Sequence, residues 1–130
     1  MKQTDPEKIK QAQVVLEKLK EQRGGGVLPL HRKMANDPKL LQAFSQQFAI
    51  CKQDVKHIPG KYMELMLMLM GCIAGNSVTI KTHANLAVKK GATLDEIGEV
   101  LRLVLFYCGV SAVIPAVELF EEIEEANTTK

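Results

Sequence analysis

Apolar side chains recur at helical spacing along most of the chain, and no stretch alternates convincingly in the manner of a β-strand. Asp5 is predicted to cap the first helix, with Pro6 at its first position. The glycine triplet 24–26 should end that helix. Its apolar residues recur at helical spacing, at Ile9, Ala12, Val15, Leu16 and Leu19. The pattern therefore predicts an all-α protein.

A second cap-then-proline signal follows in Asn36-Asp37-Pro38. We expect a helix from about Pro38 to Gln53, after a segment, 27–35, that holds one or two helical turns at most. Its inward positions are predicted to be Leu40, Leu41, Phe44, Phe48 and Cys51.

The most apolar helix is predicted over residues 61–74, after the Pro59-Gly60 restart. It is apolar nearly all round, which is typical of a helix covered in the core or at a subunit contact. The methionines in it fill irregular core gaps well. The run is too short to span a membrane and contains Glu64, while the apolar run 101–117 is interrupted by polar residues, glycine and proline.

The remaining helix boundaries are marked by caps. Asn76 is predicted to cap a helix that runs to about Lys90, and Thr93 with Glu96 forms a capping box for the next. That next helix holds the apolar residues Ile97, Val100, Leu101, Val104 and Leu105. Gly109 should interrupt it. A last helix is expected over 111–125, bent or restarted near Pro115, with a frayed tail at 127–130.

Three side chains share one stripe of the helix that Asn76 begins: Asn76, Thr79 and His83, spaced by three and then four residues. If the helices before and after Gly75 form an antiparallel hairpin, Glu64 and His83 lie roughly 16 Å and 12 Å from the turn. A long glutamate side chain spans that offset. The sequence therefore predicts that a carboxylate and an imidazole meet between two apolar helices.

A carboxylate in so apolar a helix is costly to bury unless it is paired or protonated. His83 is the first candidate partner of Glu64, and Lys61 and Lys81 are the alternatives. A buried Glu–His pair can relay a proton near neutral pH. The competing interpretation is that the two side chains only provide each other with a hydrogen-bond partner and fix the register of the two helices.

Several short motifs occur in one uninterrupted order over residues 61–118. They are Lys61-Tyr62-Met63-Glu64-Leu65, His83 nineteen residues after Glu64, Ala84 through Gly91-Ala92-Thr93, Asp95-Glu96-Ile97 with Glu99-Val100-Leu101, Phe106-Tyr107-Cys108-Gly109-Val110, and Pro115-Ala116. This ordered set resembles the core of the carboxymuconolactone decarboxylases and AhpD-like alkylhydroperoxidases. The resemblance implies an all-α fold with a central antiparallel helix hairpin, and a homo-oligomer, commonly a trimer or a hexamer.

In the AhpD-like branch, a Glu, the two Cys of a C-x-x-C and a following His form a proton relay and redox centre. The resemblance places Glu64 and His83 on that Glu and His as catalytic residues. It places Asn76 and Thr79, which would line the pocket, on the two Cys positions. Neither side chain can form a disulfide or a thiolate nucleophile. The peroxidase mechanism is therefore not expected in its usual form.

The decarboxylase branch also lacks the C-x-x-C, and the resemblance implies chemistry on a small organic acid or lactone without metal or organic cofactor. Decarboxylation needs a cation for the substrate carboxylate and a proton donor for the developing carbanion. Glu64 or His83 would handle the proton. The cation is left open among Lys61, Lys81, Arg102 and a neighbouring subunit.

The three cysteines, Cys51, Cys72 and Cys108, do not form a disulfide framework, because their number is odd and no C-x-x-C occurs. With a polar segment after Met1 instead of a secretory leader, we expect a cytoplasmic protein. Cys72 and Cys108 are possible redox thiols that the fold would bring near each other, although inert core cysteines are favoured. Tyr107 either lines a pocket near His83 or packs at an interface.

Composition narrows the class of protein. The chain has 130 residues, 46% of them hydrophobic and 25% charged, with a net charge of +2. This predicts one domain, 1–58 holding N-terminal helices and 59–126 the family-like core, with neither a nucleic-acid nor a membrane partner. His31 and His57 are isolated and are predicted to lie on the surface or in loops, and no metal site is expected.

Three functions remain open on the sequence. The first is a cofactor-independent enzyme, a lyase acting on a small organic acid or lactone through Glu64 and His83. The second is a peroxiredoxin-type antioxidant of the AhpD-like kind with displaced cysteines. The third is a helical homo-oligomer without catalytic activity. The missing C-x-x-C favours lyase chemistry over thiol peroxidase chemistry.

Overall fold

The computed structural model describes residues 1–118 together with Phe120 and Glu121, and in this part of the chain every regular element is helical. The all-α prediction is confirmed. The helices are α1 (Pro6–Gln22), α2 (Pro29–Met34), α3 (Pro38–Phe48), α4 (Gly60–Ile73), α5 (Ser77–Lys89), α6 (Leu94–Cys108) and α7 (Val110–Val117).

The predicted caps set these boundaries. The Asp5 carboxylate accepts hydrogen bonds from the backbone N–H groups of Glu7 and Lys8 at the start of α1. Thr93 and Glu96 make the reciprocal capping box at the start of α6. Gly109 separates α6 from α7 with a φ of 82°, a value that L residues with a Cβ rarely adopt.

The chain forms two compact units, Met1–Lys56 and His57–Lys130. This division falls within two residues of the predicted boundary between the N-terminal helices and the family-like core. In the first unit α3 packs against both α1 and α2, and Leu19 and Leu41 are fully buried.

Two positions predicted to point inward in the first unit do not. Leu40 and Cys51 are exposed. α3 ends at Phe48 and continues as a π-helical segment over Ala49–Gln53, whose wider turn changes the direction of the following side chains. Leu40 is exposed because α3 buries a narrower face, centred on Leu41.

α4 and α5 form the antiparallel hairpin predicted at Gly75. Three places of close approach show the direction: Gly60 lies beside Lys90, Glu64 beside His83, and Gly71 beside Ile80. Residue numbers rise along α4 as they fall along α5. The hairpin therefore brings the N-terminal end of α4 to the C-terminal end of α5.

Gly71 allows this hairpin to pack closely. A Cβ placed there would lie 3.0 Å from the backbone nitrogen of Ile80 and 3.1 Å from Cγ2 of Thr79. Such a contact is tighter than side chains tolerate against backbone, so only glycine fits without a shift of α5.

The core of the second unit is built around α4. It combines apolar side chains from α4, α5, α6 and α7, among them Met68, Ile80, Ile97 and Val104. α6 packs on α4 with its first turn beside the first turn of α4, where Lys61 and Glu96 pair at 2.7 Å. α6 therefore runs parallel to α4.

A second set of apolar side chains in this unit faces outward. On α4 they are Tyr62, Met66, Met70 and Ile73, on α6 Leu103, Leu105, Phe106 and Tyr107, and on α7 Val110, Ile114 and Val117. Thus α4 is covered on one side only within the chain. None of the described helices is both long and apolar enough to cross a membrane.

The last predicted helix begins one residue earlier than expected, and α7 passes through Pro115 before ending at Val117. Residue 119 and residues 122–130 lie outside the described residues, and with them the predicted end of this helix and the predicted frayed tail.

Candidate active site

Glu64 is the most deeply buried charged side chain in the described part of the chain, with 1% of its surface exposed. It lies on α4, one turn after the start of the helix, and points toward α5. A carboxylate removed from water in this way requires compensating partners. The structure supplies one for each carboxylate oxygen, His83 on α5 and Lys90 at the C-cap of that helix.

The first partner is His83. Its Nδ1 lies 2.6 Å from Oε2 of Glu64, so the predicted meeting of carboxylate and imidazole is found in the structure. Because an ionised carboxylate only accepts hydrogen bonds, Nδ1 carries the hydrogen in this contact. The other ring nitrogen, Nε2, is then the position available for proton transfer. The His83 side chain is 15% exposed, enough to meet a ligand from the surface.

The second partner is Lys90, which the sequence reasoning did not single out. Its Nζ donates to Oε1 of Glu64 at 2.6 Å, while 40% of the side chain remains exposed. A sequence signal for it existed, since Lys90 follows His83 by seven residues and therefore lies on the same stripe of helix two turns later. An ammonium, a carboxylate and an imidazole thus form one cluster.

Asn76 and Thr79 occupy the first turn of the same helix. Asn76 is the N-cap of α5, and its side-chain oxygen accepts from the backbone N–H of Thr79 at 3.0 Å. Asn76 is exposed and Thr79 half-buried beside Gly71. Their positions relative to His83 are as predicted, and one visible task of Asn76 is to cap the helix that carries the imidazole.

Two of the cations proposed from the sequence are paired elsewhere. Lys61 donates to Glu96 at 2.7 Å, and this hydrogen bond raises the pKa of Lys61 and lowers that of Glu96. Arg102 lies 3.5 Å from Glu99 on the exposed side of α6. The lysine that meets Glu64 is therefore Lys90 and not Lys61.

The thiols lie away from this cluster. Cys72 is buried at the end of α4, and burial raises the pKa of its thiol. It follows Glu64 by eight residues, about 12 Å along the helix axis. Cys51 and Cys108 are exposed, so the favoured interpretation of all three as core cysteines holds only for Cys72.

Tyr107 is 87% exposed at the outer side of α6, so within the single chain it lines no enclosed pocket. In the described part of the chain, no three His, Cys, Asp or Glu side chains cluster as a metal ion would require.

His31 corrects a further expectation. It was predicted on the surface or in a loop, yet it is fully buried in the first unit. Its Nδ1 accepts from the backbone N–H of Leu28 at 3.0 Å, and its ring packs against Phe44 with centroids 5.0 Å apart. Local sequence did not reveal this, because the burial depends on how α2 packs against α3.

A comparison with family models matches residues 38–122 to the carboxymuconolactone decarboxylase family. This is well over half of the chain. The chain belongs to the carboxymuconolactone decarboxylase family. The match begins at α3, so family similarity extends further toward the N-terminus than the motif region 61–118. Searches of curated proteins and of solved structures gave no significant match.

Membership of the carboxymuconolactone decarboxylase family, which includes the AhpD-like proteins, accounts for the helical hairpin that carries Glu64 and His83. Asn76 and Thr79, which were predicted to stand at the two C-x-x-C positions of the AhpD-like proteins, lie at the start of the helix that carries His83. The cluster beside them contains acid, base and cation, but no sulfur.

Proposed function

We propose that this member of the family is a cofactor-independent lyase that decarboxylates a small organic acid or lactone at the Glu64–His83–Lys90 cluster. One observation carries the proposal: a carboxylate that is 1% exposed holds an imidazole and an ammonium at 2.6 Å each, and both of these reach the surface. The cluster is neutral when His83 is neutral and carries one positive charge when His83 is protonated. Either state suits an anionic substrate.

The burial of the three groups assigns their roles. Glu64 is enclosed, so it acts as a positioning residue that fixes the orientation of His83 and Lys90. His83 and Lys90 are the groups that would touch the substrate. Lys90 has N–H donors beyond the one given to Glu64, and these would bind the substrate carboxylate.

The proposed step balances without an external oxidant or reductant. The bond between the substrate carboxylate and its neighbouring carbon breaks, carbon dioxide leaves, and the electron pair stays on that carbon. Protonated His83 then delivers its Nε2 proton to the carbon, while its Nδ1 hydrogen stays on the ring and remains hydrogen-bonded to Glu64. Lys90 stabilises the anion as charge develops.

Carbon dioxide release from a panel of lactone carboxylic acids tests the proposal. We expect Glu64→Gln, His83→Ala and Lys90→Met each to lower kcat/KM at least about 100-fold, the scale of a lost proton donor or charge partner. Lys89→Met is the matched control, since Lys89 is the adjacent exposed lysine of α5, and it should keep full activity. Circular dichroism checks that each variant is folded.

If no lactone acid binds or turns over, the lyase proposal is wrong and a helical oligomer without catalytic activity becomes the better description. Equal losses in Lys89→Met and Lys90→Met would also contradict the role given to Lys90.

The redox alternative has weaker support, because Cys72 is buried, its pKa is raised by burial, and it lies about 12 Å along α4 from Glu64. A lipoyl- or thiol-dependent hydroperoxide reduction assay separates the two functions. We expect no turnover by the wild-type chain. Turnover that disappears in Cys72→Ser/Cys108→Ser would favour a peroxidase with displaced cysteines over the lyase.

We also propose that the chain works as a homo-oligomer, a trimer or a hexamer, in the cytoplasm. The outward apolar side chains of α4, α6 and α7 support assembly, since an isolated soluble domain rarely exposes so many together. Three cysteines without a disulfide fit a reducing compartment.

A further inference from the structure

Two parallel helices of the second unit carry matching stripes, and each stripe ends in a cysteine. Both stripes repeat the spacing four, three, four, which keeps their members on one face of a helix. The α4 stripe consists of Lys61, Leu65, Met68 and Cys72, and the α6 stripe of Ile97, Leu101, Val104 and Cys108. The four middle members are buried together in one core.

An ion pair joins the first turns of the two helices. Lys61 and Glu96 lie 2.7 Å apart. Cys72 follows Lys61 by eleven residues and Cys108 follows Glu96 by twelve, which places the cysteines roughly 16 Å and 18 Å further along the axes. The two cysteines therefore lie at the same, C-terminal end of the α4–α6 pair.

The two thiols differ in their exposure to solvent. Cys72 is 1% exposed, whereas Cys108 is exposed at the last position of α6. Burial raises the pKa of Cys72, and the charge of a Cys108 thiolate adds to the rise, so the two sulfur atoms lie within electrostatic range. Phe106, two residues before Cys108, lies on the opposite face of α6 and belongs to the outward apolar surface.

We propose that Cys72 and Cys108 are a redox-active pair that closes into a reversible disulfide between the C-terminal ends of α4 and α6. The co-reactant is a small disulfide. The exposed Cys108 thiolate attacks one of its sulfur atoms, and a small thiol leaves. The Cys72 sulfur, as it gives up its proton to solvent, attacks Cys108 in the mixed disulfide and expels the second small thiol. Two protein thiols are oxidised and one small disulfide is reduced to two thiols.

The backbone around Cys108 favours closure. A disulfide needs the two Cα atoms within about 7 Å of each other. Many residue pairs on facing helices have Cα atoms further apart than this, so closure requires the two cysteines to approach. Cys108 is the last residue of α6, and Gly109 ends the helix with a φ of 82°, so a shift of Cys108 toward Cys72 would involve only the last turn of α6. The disulfide would tie α4 one turn before Asn76, the cap of the helix that carries His83.

The full-length Cys51→Ser variant, which retains only the two thiols of interest, tests the pair. It is equilibrated in buffers of increasing ratio of oxidised to reduced glutathione, trapped with a thiol-alkylating reagent, and mapped by mass spectrometry after proteolysis. We expect both thiols to be lost together and a peptide containing Cys72 to become linked to one containing Cys108. Dithiothreitol should return both thiols.

Cys51→Ser/Cys108→Ser is the matched control, and its substitution is at an exposed site that does not disturb the core. It should leave Cys72 unmodified at glutathione ratios that fully oxidise Cys51→Ser, because the buried thiol alone does not react. Independent glutathionylation of Cys108 with free Cys72, or a Cys108–Cys108 link between chains, would overturn the proposal. The assay measures thiols and not lyase activity, so its result is independent of the function proposed above.

Discussion

At the scale of single residues, burying the carboxylate of Glu64 lowers the stability of the fold but suits the proposed proton transfer. A buried carboxylate loses its water, and the contacts with His83 and Lys90 compensate for that loss. Apolar side chains of similar volume would avoid the loss altogether. The retained charges therefore suit a role in catalysis better than a role in stability.

The first prediction compares the loss of the Glu64 carboxylate with the loss of its partner His83. Glu64→Leu should leave the free energy of unfolding nearly unchanged, since it removes the buried carboxylate and leaves partners, His83 and Lys90, that both reach the surface and can be solvated. His83→Ala should lower it by about 3 kcal/mol, because one oxygen of a buried carboxylate loses its partner. Urea denaturation measures both, and a larger loss in Glu64→Leu than in His83→Ala would contradict this account.

The second prediction concerns His31. Burial, and secondly the charge of Arg23, lowers the pKa of this imidazole from its ordinary value of 6.5. The unfolded chain therefore binds the proton first as the pH falls. The contribution of neutral His31 to stability is complete above pH 6.5 and declines below it toward the lowered pKa, by at most about 1.4 kcal/mol per pH unit.

His31→Asn is the comparison for this effect, because its side-chain oxygen can still accept from the Leu28 N–H without titrating. Denaturation between pH 7.5 and 5 should show a steeper loss of stability for the wild-type chain than for this variant. Parallel pH profiles would show that His31 does not control the acid sensitivity.

At the scale of the elements, the α4–α5 hairpin depends on close packing more than on helix propensity. Gly71 lies within an apolar helix where alanine would favour the helical conformation, yet the backbone of Ile80 occupies the space that a Cβ would need. This approach also places Thr79 and, one turn later, His83 against α4. The site geometry therefore rests in part on a residue without a side chain.

The third prediction uses two helical glycines as a matched pair. Gly71→Ala should destabilise the fold by about 1–3 kcal/mol, since the added methyl group overpacks the hairpin. Gly98→Ala on α6 should stabilise it by about 0.5–1 kcal/mol, because nothing lies within 4 Å of the added Cβ there. Thermal denaturation of both variants checks the opposite signs, and stabilisation by Gly71→Ala would refute the packing argument.

At the scale of the whole molecule, the second unit has more apolar surface than its own core covers. The outward side chains of α4 and α6 are as apolar as those turned inward, and methionine and phenylalanine are prominent among them. A chain of this length cannot bury them all by itself. A second copy with the same surface is the simplest cover, because like surfaces meet in closed symmetric assemblies.

The fourth prediction tests that assembly. Met70→Glu/Phe106→Glu should dissociate the proposed oligomer, since both substitutions place charges on exposed apolar positions without touching the core. Light scattering coupled to gel filtration should give the mass of several chains for the wild type and of one chain for the variant. Lys10→Glu, an exposed change on α1, should leave the wild-type mass unchanged. A monomeric wild type would exclude the oligomer.

The helices and their ends could be predicted from the sequence because their signals are local. The side chains of Asp5, Asn76 and Thr93 accept hydrogen bonds from backbone N–H groups two or three residues away. Gly109 adopts a positive φ that favours glycine at that one position. The meeting of Glu64 with His83 followed from the same short-range logic, since both residues lie at countable distances from one turn.

Only the tertiary structure decided which long side chains reach across and which faces are covered. Lys90 was missed because its reach over Gly60 to Glu64 depends on the absence of a side chain on the facing helix. The sequence around His31 and around Cys108 did not indicate how deeply either side chain lies. Packing buries His31 and leaves Cys108 exposed. Periodicity determines the face on which a residue lies, but burial depends on what other parts of the chain place against that face.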